Sequence, residues 1–477
     1  MNAVLVASNR GPVSFTLSED GALTMRRGGG GLVSGLSGVV KEMEVLWVCA
    51  ALSDGDRSAV RLAPGGRLDH AGYDTGPLRM LDIPPSTFHR AYNAVANSTL
   101  WFVNHLLYNT PTAPQFDTRF RREWESYQSY NAAFALALAE EAGPGARVMV
   151  QDYHLTLAPS MLRGERPDVR ISHFSHTPWA PPEYFSLLPD EVAVEVLCGI
   201  LGADHAGFLT ARWAAAFMDC CEALLGANVD RGARTVTHEG RTTRIGVHGL
   251  GVDGDALWAR AVEPDVESHM AALRQEVGDS KLIVRIDRTE LSKNIVRGLA
   301  AYREFLAAHP EWHGKVVHLA FAYPSRHDLP EYREYTAAVQ RCAKEIEDEY
   351  ATEDWDPLIL NVNDDYPRSL AAYRLADVLL VNPIRDGMNL VAKEGPILSP
   401  RSALVLSREA GAAAELGADA LLVNPYDVCG TAEAIHEALV MPEEERLERG
   451  KRLRAAATAL PPGLWFAEQL AALEPAP

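Results

Sequence analysis

Two cations that stand five residues apart, Arg288 and Lys293, have types and a spacing that would let them act on a ligand. They follow the apolar run Leu282 to Ile286 and precede a helical pattern, which predicts a strand, a loop and a helix start. Ligands of open α/β sheets bind beyond the carboxyl ends of the strands, so both side chains are placed to meet an anionic group such as a diphosphate. The alternative is that they are two surface cations.

A second polar segment, Pro383 to Glu394, also follows a predicted buried strand and opens a helix. It contains Asp386, Gly387 and Asn389. These residue types are candidates for ligand contacts, but they are also typical of a turn and a helix cap. Both interpretations of the segment stay open at this point.

Polar residues in the first half of the chain likewise stand where predicted strands end. Asp152, Tyr153 and His154 follow the run Val148 to Val150, and His176 follows the next strand. The position at strand ends makes them candidates for ligand contacts.

Metal ligation is not indicated. His173 and His176 are three residues apart on a predicted strand and face opposite sides, so they are poor joint ligands, and His173 is expected to be a packed core residue. No H-E-x-x-H or similar pattern occurs.

Four consecutive glycines, Gly28 to Gly31, follow two arginines and precede a helical pattern. Glycine lets backbone N–H groups approach an anion at a helix N-terminus. The spacing does not fit G-x-G-x-x-G after the first strand. A ligand loop and a flexible hairpin loop are both compatible with these residues.

Alternating strands and helices must position these candidates. Short runs rich in Val, Ile and Leu suit strands that are buried on both faces, and helical patterns lie between them. The alternation predicts an α/β fold with parallel sheets. The predicted strands are Val4 to Ala7, Val148 to Val150, Val169 to Phe174, Leu282 to Ile286, Val316 to Ala322, Leu358 to Leu360, Val378 to Val381 and Ala403 to Leu406.

The chain of 477 residues exceeds what one hydrophobic core usually holds, which predicts two domains. The stretch from Arg241 to Asp253 separates the two series of strands and is the candidate boundary. The helical pattern after Val440 breaks at Pro461, and a last short helix then carries Trp465 and Phe466. These apolar side chains need a surface to cover.

The composition excludes several classes of protein. The 64 acidic residues outnumber the 45 basic ones, which gives a formal charge of −19, and no basic tract marks a nucleic-acid surface. No apolar run approaches the roughly 18 residues of a membrane span, and the N-terminus does not look like a signal peptide. The missing span and signal peptide lead us to expect a cytoplasmic protein. The six cysteines lack C-x-x-C spacing, so we expect reduced, mostly buried thiols.

A series of short motifs, taken in chain order, carries a resemblance to a known family. The motifs are Ser8-Asn9-Arg10, Gly30-Gly31-Leu32, Tyr92-Asn93 with Leu100-Trp101, Asp152-Tyr153-His154, His176-Thr177-Pro178-Trp179, Gly202-Ala203-Asp204, Arg288 with Lys293, Pro324-Ser325-Arg326, Arg385 to Glu394, and Val423-Asn424-Pro425. Together they resemble the retaining GT-B glycosyltransferases of family 20, the trehalose-6-phosphate synthases. The resemblance covers nearly the whole chain.

The resemblance implies a GT-B fold of two Rossmann-like domains with parallel sheets facing a central cleft. Residues 1–247 would form the N-terminal acceptor domain, 248–455 the C-terminal nucleotide-sugar donor domain, and 456–477 a C-terminal helix that crosses back to the first domain. The implied reaction transfers glucose, with retention, from a nucleoside-diphosphate glucose to glucose 6-phosphate. It needs no metal and no cofactor, and both a monomer and a homo-oligomer are compatible with it.

The resemblance also implies roles for individual residues. The implied catalytic set is Arg288, Lys293, Asp152, His176 and Asp386. The implied donor-binding set is Gly30, Gly31, Arg288, Lys293, Asp386, Asn389, Leu390, Val391 and Glu394. The implied acceptor-binding set is Arg10, Tyr92, Trp101, Asp152, Tyr153 and Arg326. Fixed cations would stabilise the charge that develops on the leaving diphosphate, and holding the acceptor by its phosphate would orient its hydroxyl.

Several segments depart from the family pattern. Asn294 stands where the family usually has glycine, Thr289-Glu290-Leu291 replaces leucine-aspartate-tyrosine, and Val247-His248-Gly249 replaces a proline-isoleucine-glycine hinge. The segment Asn361 to Leu370, which would read the donor base, differs from the uridine-using pattern. Guanine presents two adjacent N–H donors that suit a carboxylate such as that of Asp364 or Asp365. The sequence therefore favours GDP-glucose slightly over UDP-glucose.

Three other functions fit parts of the sequence. A related enzyme could use another acceptor or bond, as glucosylglycerol-phosphate synthases and pseudo-glycosyltransferases do, but those relatives alter the motif around Asp386, which is intact here. A non-catalytic regulator that binds sugar phosphate would be expected to have lost Arg288, Lys293 or Glu394. A glycoside hydrolase would use Asp152 and Asp386 as paired carboxylates, although they lie in different predicted domains.

Overall fold

The predicted apolar runs form strands of two sheets, each in its own unit of the chain. The computed structural model describes residues 2–18, 21–27, 45–71 and 75–474. One unit consists of residues 1–249 and 462–477, and the other of residues 250–461. The sequence-based prediction places the divisions after residues 247 and 455. Residues 456–461 stay with the second unit, where Gly251 and Val252 donate backbone hydrogen bonds to Leu460 and Ala457.

The first unit contains a nine-stranded sheet in the order β5-β4-β1-β6-β7-β8-β11-β10-β9. The strands from β5 to β11 in this order pair in parallel, and β9 and β10 extend the edge antiparallel. A separate antiparallel hairpin joins β2 and β3. The strands are β1 Asn2–Ala7, β2 Val13–Leu17, β3 Leu23–Arg27, β4 Leu46–Ala50, β5 Leu78–Leu81, β6 Ala142–Gln151, β7 Arg170–Ser175, β8 His205–Phe208, β9 Asn228–Asp230, β10 Thr235–His238 and β11 Arg241–Val247.

The second unit contains a six-stranded sheet in the order β14-β13-β12-β15-β16-β17, in which every pair is parallel. The strands are β12 Lys281–Arg288, β13 Val316–Tyr323, β14 Leu358–Asn361, β15 Val378–Val381, β16 Ala403–Ser407 and β17 Leu421–Val423. The α/β class with parallel sheets that the sequence predicts is confirmed.

Helices connect the strands of both sheets, as parallel pairing requires. The first unit has α-helices Asp54–Leu62, Pro85–His89, Trp101–Asn104, Thr118–Glu141, Ala158–Glu165, Pro182–Phe185, Asp190–Leu201, Ala211–Leu225 and Pro462–Ala471, and a π-helix Arg90–Leu100. The second unit has α-helices Gly254–Ala261, Pro264–Val277, Ile295–Ala308, Pro330–Tyr350, Tyr366–Leu375, Val391–Leu398, Ala413–Leu416, Val428–Val440 and Glu443–Thr458. Short 3-10 turns are Pro64–Gly66, Leu68–Ala71, Tyr153–Leu155, Leu291–Lys293 and Pro310–Trp312.

The hydrophobic cores lie against the central strands, whose side chains are buried on both faces. In β1 the residues Leu5, Val6 and Ala7 are fully buried, and in β12 so are Ile283 and Val284. Burial on both faces is why these strands read as continuous apolar runs in the sequence.

The last helix, Pro462–Ala471, packs within the first unit. Trp465 is buried and meets the ring of Phe174 on β7 edge-on, with ring centroids 5.0 Å apart. The apolar residues near the end of the sequence therefore cover the first sheet.

The cysteines and the helices bear on two further expectations. All six thiols are free, but only Cys49, Cys220 and Cys221 are buried, so the expectation that most are buried is met by half of them. Within the part of the chain that the structure describes, no helix is long and apolar enough to cross a membrane.

Candidate functional site

In the first unit, Asp152 and His176 stand directly after the neighbouring parallel strands β6 and β7. Asp152 has φ 73° and ψ 174°, a conformation that residues other than glycine rarely adopt and that costs about 1–3 kcal/mol. Its N–H donates to the carbonyl of Phe174 at 2.7 Å, and its Oδ1 accepts from the backbone N–H of His176 at 3.1 Å. The strained residue thus fixes the turn that carries His176.

The imidazole of His176 is held by Gln151, the last residue of β6. Its Nε2 lies 2.9 Å from Gln151 Oε1. A ring protonated on Nε2 donates a hydrogen bond to that oxygen. Burial lowers the pKa of His176 to about 3, so the ring is neutral near pH 7. Gln151 was not among the predicted site residues.

Aromatic contacts join the predicted acceptor residues of this unit. Tyr92 stacks on His154 with centroids 5.5 Å apart, and Trp101 lies 5.5 Å from the ring of Tyr153. Tyr153 Oη donates to Asn97 Oδ1 at 2.8 Å. Because Tyr153 and His154 follow Asp152 directly, these rings extend the strand-end cluster.

Arg10, predicted with the same acceptor set, is exposed and lies three residues beyond β1. Because β1 and β6 are neighbouring parallel strands, their carboxyl ends lie at the same edge of the sheet. Arg10 and Asp152 both come after these strand ends. The predicted Gly30 and Gly31 lie outside the described residues.

His173 is the packed core histidine that the sequence predicts. It is fully buried, its Nε2 lies 3.3 Å from the carbonyl of Asp152, and burial lowers its pKa to about 4. The contact between His173 and the Asp152 carbonyl therefore supports the strained turn.

In the second unit, Lys293 Nζ donates to Asp386 Oδ2 at 2.7 Å. The lysine lies in the 3-10 turn after β12, and the aspartate follows the adjacent strand β15. Burial alone would lower the pKa of Lys293, but Asp386, Asp287 and Glu290 outweigh it and raise that pKa. Asn389, with φ 76°, donates from Nδ2 to the same Asp386 oxygen at 3.2 Å.

Arg288 and Arg326 approach one carboxylate, that of Glu290. Arg288 Nη2 lies 3.0 Å from Glu290 Oε1, and Arg326 Nη1 lies 3.9 Å from Oε2. Arg326 was predicted to bind the acceptor, yet it lies in the second unit after β13. Glu290 was noted in the sequence only as a departure from a motif.

Glu394 stands in the first turn of helix Val391–Leu398 and accepts a 3.0 Å hydrogen bond from Tyr373 Oη. Burial raises the pKa of Glu394 to about 7, against the lowering effect of the tyrosine. Leu390 and Val391, four and three residues before Glu394, are partly exposed at the start of the helix. Tyr373 is a further site residue that the sequence analysis missed.

The turn Leu291–Lys293 rests on buried polar groups. Arg285, fully buried in β12, donates from Nη2 to Asp287 at 2.8 Å and to the carbonyl of Lys293 at 3.0 Å. Asn294, with φ 59°, donates from Nδ2 to the carbonyls of Asn382 and Pro425 at 3.0 and 2.7 Å. Asparagine tolerates this left-handed conformation, which explains how it can replace glycine here.

The GDP-glucose expectation rests on Asp364 and Asp365, and these two carboxylates have different environments. Asp365 Oδ1 caps helix Tyr366–Leu375 by accepting from the N–H of Arg368 at 2.9 Å, and His269 Nε2 lies 3.7 Å from it. Asp364 is exposed. One of the two carboxylates therefore already has a structural role.

Among the residues that the structure describes, one cluster brings metal-ligand residue types together. His309, Glu311 and His436 bring their ligand atoms within 4.8 Å of one another. The imidazole rings stack with centroids 3.8 Å apart and 11° between their planes, so their in-plane lone pairs do not converge on one ion. We assign this cluster no role.

Comparison with known sequences identifies the family. Residues 2–474 match the family model described as Glycosyltransferase family 20. The chain belongs to glycosyltransferase family 20. The chain is also similar to solved trehalose-phosphate synthase structures, and it has their GT-B fold class.

Similar family 20 proteins include curated relatives of different lengths. A bifunctional trehalose-6-phosphate synthase/phosphatase from Thermoproteus tenax is 37% identical over 458 residues, covering 94% of this chain and 60% of the relative. An alpha,alpha-trehalose-phosphate synthase (UDP-forming) 2 from Aspergillus fumigatus is 33% identical, covering 94% of this chain and 92% of the relative. The chain thus spans less than two thirds of the first relative and nearly all of the second.

Two solved structures of family 20 are similar over almost their whole length. One, described as trehalose-6-phosphate from E. coli bound with UDP-2-fluoro glucose, has a TM-score of 0.85, 28% identity and 98% coverage of both chains. The other, an alpha,alpha-trehalose-phosphate synthase (UDP-forming) from Burkholderia xenovorans in complex with glucose-6-phosphate, has a TM-score of 0.84 and 28% identity. It covers 99% of this chain and 100% of that one.

Proposed function

We propose that this chain is an α,α-trehalose-6-phosphate synthase that transfers glucose, with retention, from a nucleoside-diphosphate glucose to glucose 6-phosphate. The observation that carries the proposal is the cluster at one edge of the second sheet. There Arg288 ends β12, the Lys293–Asp386 pair follows the adjacent parallel strands β12 and β15, and Glu394 lies in the first turn of the next helix. Cations beside a hydrogen-bonding carboxylate suit a diphosphate and a ribose.

The cations act on the leaving group. When the bond between glucose C1 and the diphosphate oxygen breaks, negative charge develops on that oxygen. The ammonium of Lys293 and the guanidinium of Arg288 stabilise this charge. Asp386 orients the ammonium through its 2.7 Å hydrogen bond, and Asn389 holds Asp386 in turn.

Retention follows if the acceptor hydroxyl attacks C1 from the face that the diphosphate leaves. The new bond joins C1 to the acceptor oxygen, and the acceptor proton passes to the departing phosphate oxygen. No carboxylate nucleophile is needed. Consistent with this, Asp386 is paired with Lys293, and Asp152 Oδ1 accepts the backbone N–H of His176.

The acceptor would be held by its phosphate. We assign Arg10 and Arg326 to the phosphate and Tyr92, Trp101, Asp152 and Tyr153 to the sugar. His176, neutral near pH 7, would hydrogen-bond a hydroxyl of the donor glucose. Fixing the acceptor in this way lowers the entropic part of the barrier.

The donor we propose is UDP-glucose. Several similar proteins are named UDP-forming, and Asp365 is occupied as a helix cap. The preference for GDP-glucose stays a prediction from the sequence without support in these observations. Metal independence and a cytoplasmic location also stay predictions.

The test incubates the purified 477-residue chain separately with UDP-, GDP- and ADP-glucose, with glucose 6-phosphate, glycerol phosphate or a cyclitol as the acceptor. Parallel samples measure binding of glucose 6-phosphate alone and hydrolysis of trehalose 6-phosphate. We expect NMR to show an α,α-1,1 linkage with UDP-glucose. Turnover only with glycerol phosphate or a cyclitol acceptor would favour the related enzymes of other specificity. Binding of glucose 6-phosphate without turnover of any donor would favour the regulatory alternative, and release of free glucose from trehalose 6-phosphate would favour the hydrolase.

A further inference from the structure

Glu290 is a fully buried carboxylate between the two predicted donor cations in sequence, and its side chain has no exposed area. Its Oε1 accepts from Ser325 Oγ at 3.0 Å and lies 3.0 Å from Arg288 Nη2. Its Oε2 lies 3.9 Å from Arg326 Nη1 and accepts no hydrogen bond from the described residues. One carboxylate therefore faces cations assigned to two different substrates.

This carboxylate is ionised although it is buried. Burial would raise its pKa, but Arg288, Arg326 and Lys293, together with the hydroxyl of Ser325, lower the pKa of Glu290 to about 2. Burying a charge without a partner is costly, so a buried carboxylate is tolerated where cations face it. The carboxylate of Glu290 thus lies on the buried side of the cations that face it.

A guanidinium has five N–H donors on more than one edge and can bind two anions at once. The Arg288 side chain is 55% exposed, so an edge that Glu290 does not engage is open to a ligand. Arg326 is further fixed by Tyr332, whose hydroxyl accepts from Nη1 and whose ring lies 5.5 Å below the guanidinium carbon. Contacts with other protein side chains therefore orient both guanidiniums.

We propose that Glu290 is a shared positioning residue, which orients Arg288 for the donor diphosphate and Arg326 for the acceptor phosphate. This inference rests on the proposed function, because it takes the ligands of the two arginines from it. Glu290 touches neither substrate. It acts by fixing the direction in which each guanidinium presents its remaining donors.

The Glu290→Gln substitution tests this role because it keeps the shape of the side chain and exchanges one acceptor oxygen for an N–H donor. That donor would face guanidinium donors and displace them. The Glu290→Asp substitution keeps the charge but shortens the side chain by one methylene. Glu331→Gln, an exposed glutamate in the first turn of helix Pro330–Tyr350, is the matched control for loss of one negative charge.

The experiment measures kcat and both KM values for each variant of the 477-residue chain with UDP-glucose and glucose 6-phosphate. We expect Glu290→Gln to raise both KM values about tenfold or more, Glu290→Asp to raise both by less, and Glu331→Gln to change neither. A rise in only one KM, or in neither, would overturn the shared role. If Glu290→Gln does not fold, the same criterion applies to Glu290→Asp.

Binding of UDP and of inorganic phosphate, followed by calorimetry, separates this inference from the proposed function. If the wild-type protein transfers no glucose, the function fails. The inference then stands only if Glu290→Gln weakens binding of both ligands, and it fails if either binds as tightly as in wild type.

Discussion

Lys293 and Asp386, 93 positions apart in the sequence, form a 2.7 Å ion pair where the adjacent parallel strands β12 and β15 end. Each side chain is mostly buried, so the pair is less screened by water than a surface salt bridge. The pair therefore fixes the ammonium in one position while leaving it charged. That is the property a group needs if it is to meet a leaving phosphate.

Removing the ammonium should affect the chemical step. We expect Lys293→Ala to lower kcat by about 10²–10³-fold, because one preorganised donor to a developing charge is lost. Steady-state rates with saturating substrates measure this. Lys344→Ala is the control, since that lysine pairs with Asp348 on an exposed helix face. A loss of less than threefold in Lys293→Ala would contradict the assignment.

The left-handed backbone at Asn294 should make glycine the best replacement there. Asn294→Ala loses three side-chain hydrogen bonds and places alanine at φ 59°, so we expect the free energy of unfolding to fall by about 2–4 kcal/mol. Asn294→Gly loses the same bonds without the conformational cost and should fall by about half as much. Urea unfolding compares the two variants, and equal losses would show that the backbone conformation is unimportant.

Binding of the donor should depend on the ionisation of Glu394. With a pKa of about 7, the group accepts ribose hydroxyls as a carboxylate above that pH and is protonated below it, so binding of UDP-glucose should weaken as pH falls. Tyr373→Phe removes a hydrogen bond that lowers the pKa, and the midpoint should move to higher pH. Calorimetric titrations between pH 6 and about 8.5 test this.

The control for that titration is Tyr302→Phe, which removes another buried hydroxyl of the second unit, one that donates to the carbonyl of Pro357. It should leave the midpoint where it is in the wild type. A midpoint that moves downward in Tyr373→Phe would contradict the assigned direction.

A chain of hydrogen bonds around the buried His205 predicts loss of stability in acid. His205 lies between Ser172 Oγ, 3.0 Å from its Nδ1, and His248, whose Nδ1 in turn lies 3.2 Å from Glu468. Burial, with His248 and Arg244, lowers the pKa of His205 to about 3, so the folded state holds the neutral ring. The unfolded ring binds a proton near pH 6.5, and stability is therefore complete above that pH and falls below it.

For one such histidine the loss at pH 5 is about 2 kcal/mol. We expect urea unfolding to show a smaller difference between pH 7 and pH 5 in His205→Asn than in the wild type. His327→Asn, at an exposed position, should keep the wild-type difference. An undiminished pH dependence in His205→Asn would contradict a neutral His205 in the folded protein.

The strands that the sequence predicted were those whose composition is dominated by Val, Ile and Leu. β4, which contains Trp47 and Cys49, and β8, with the sequence His-Ala-Gly-Phe, were missed although both are buried. Their burial comes from neighbouring strands and helices, and four or five residues of mixed type do not reveal it. Positions at strand ends, by contrast, follow from the topology alone, which is why Asp152, Arg288 and Asp386 could be singled out.

The partners of the site residues could not be found in this way. Gln151 with His176 and Tyr373 with Glu394 are pairs more than 20 residues apart, and only packing brings them together. The cap at Asp365 did have a signal, because Asp before Tyr-Pro is typical of a helix start with proline in the first turn. This helix cap removes one basis for the GDP preference.

The first unit takes its last helix, Pro462–Ala471, from beyond the second unit, which spans residues 250–461. A ribosome adding roughly 5–20 residues per second needs about 10–40 s to make those intervening residues. During that time the surface of Phe174 and His176 that Trp465 will cover is open to water or to chaperones. Completion of the first unit is thus delayed by the order of synthesis until the second has already emerged.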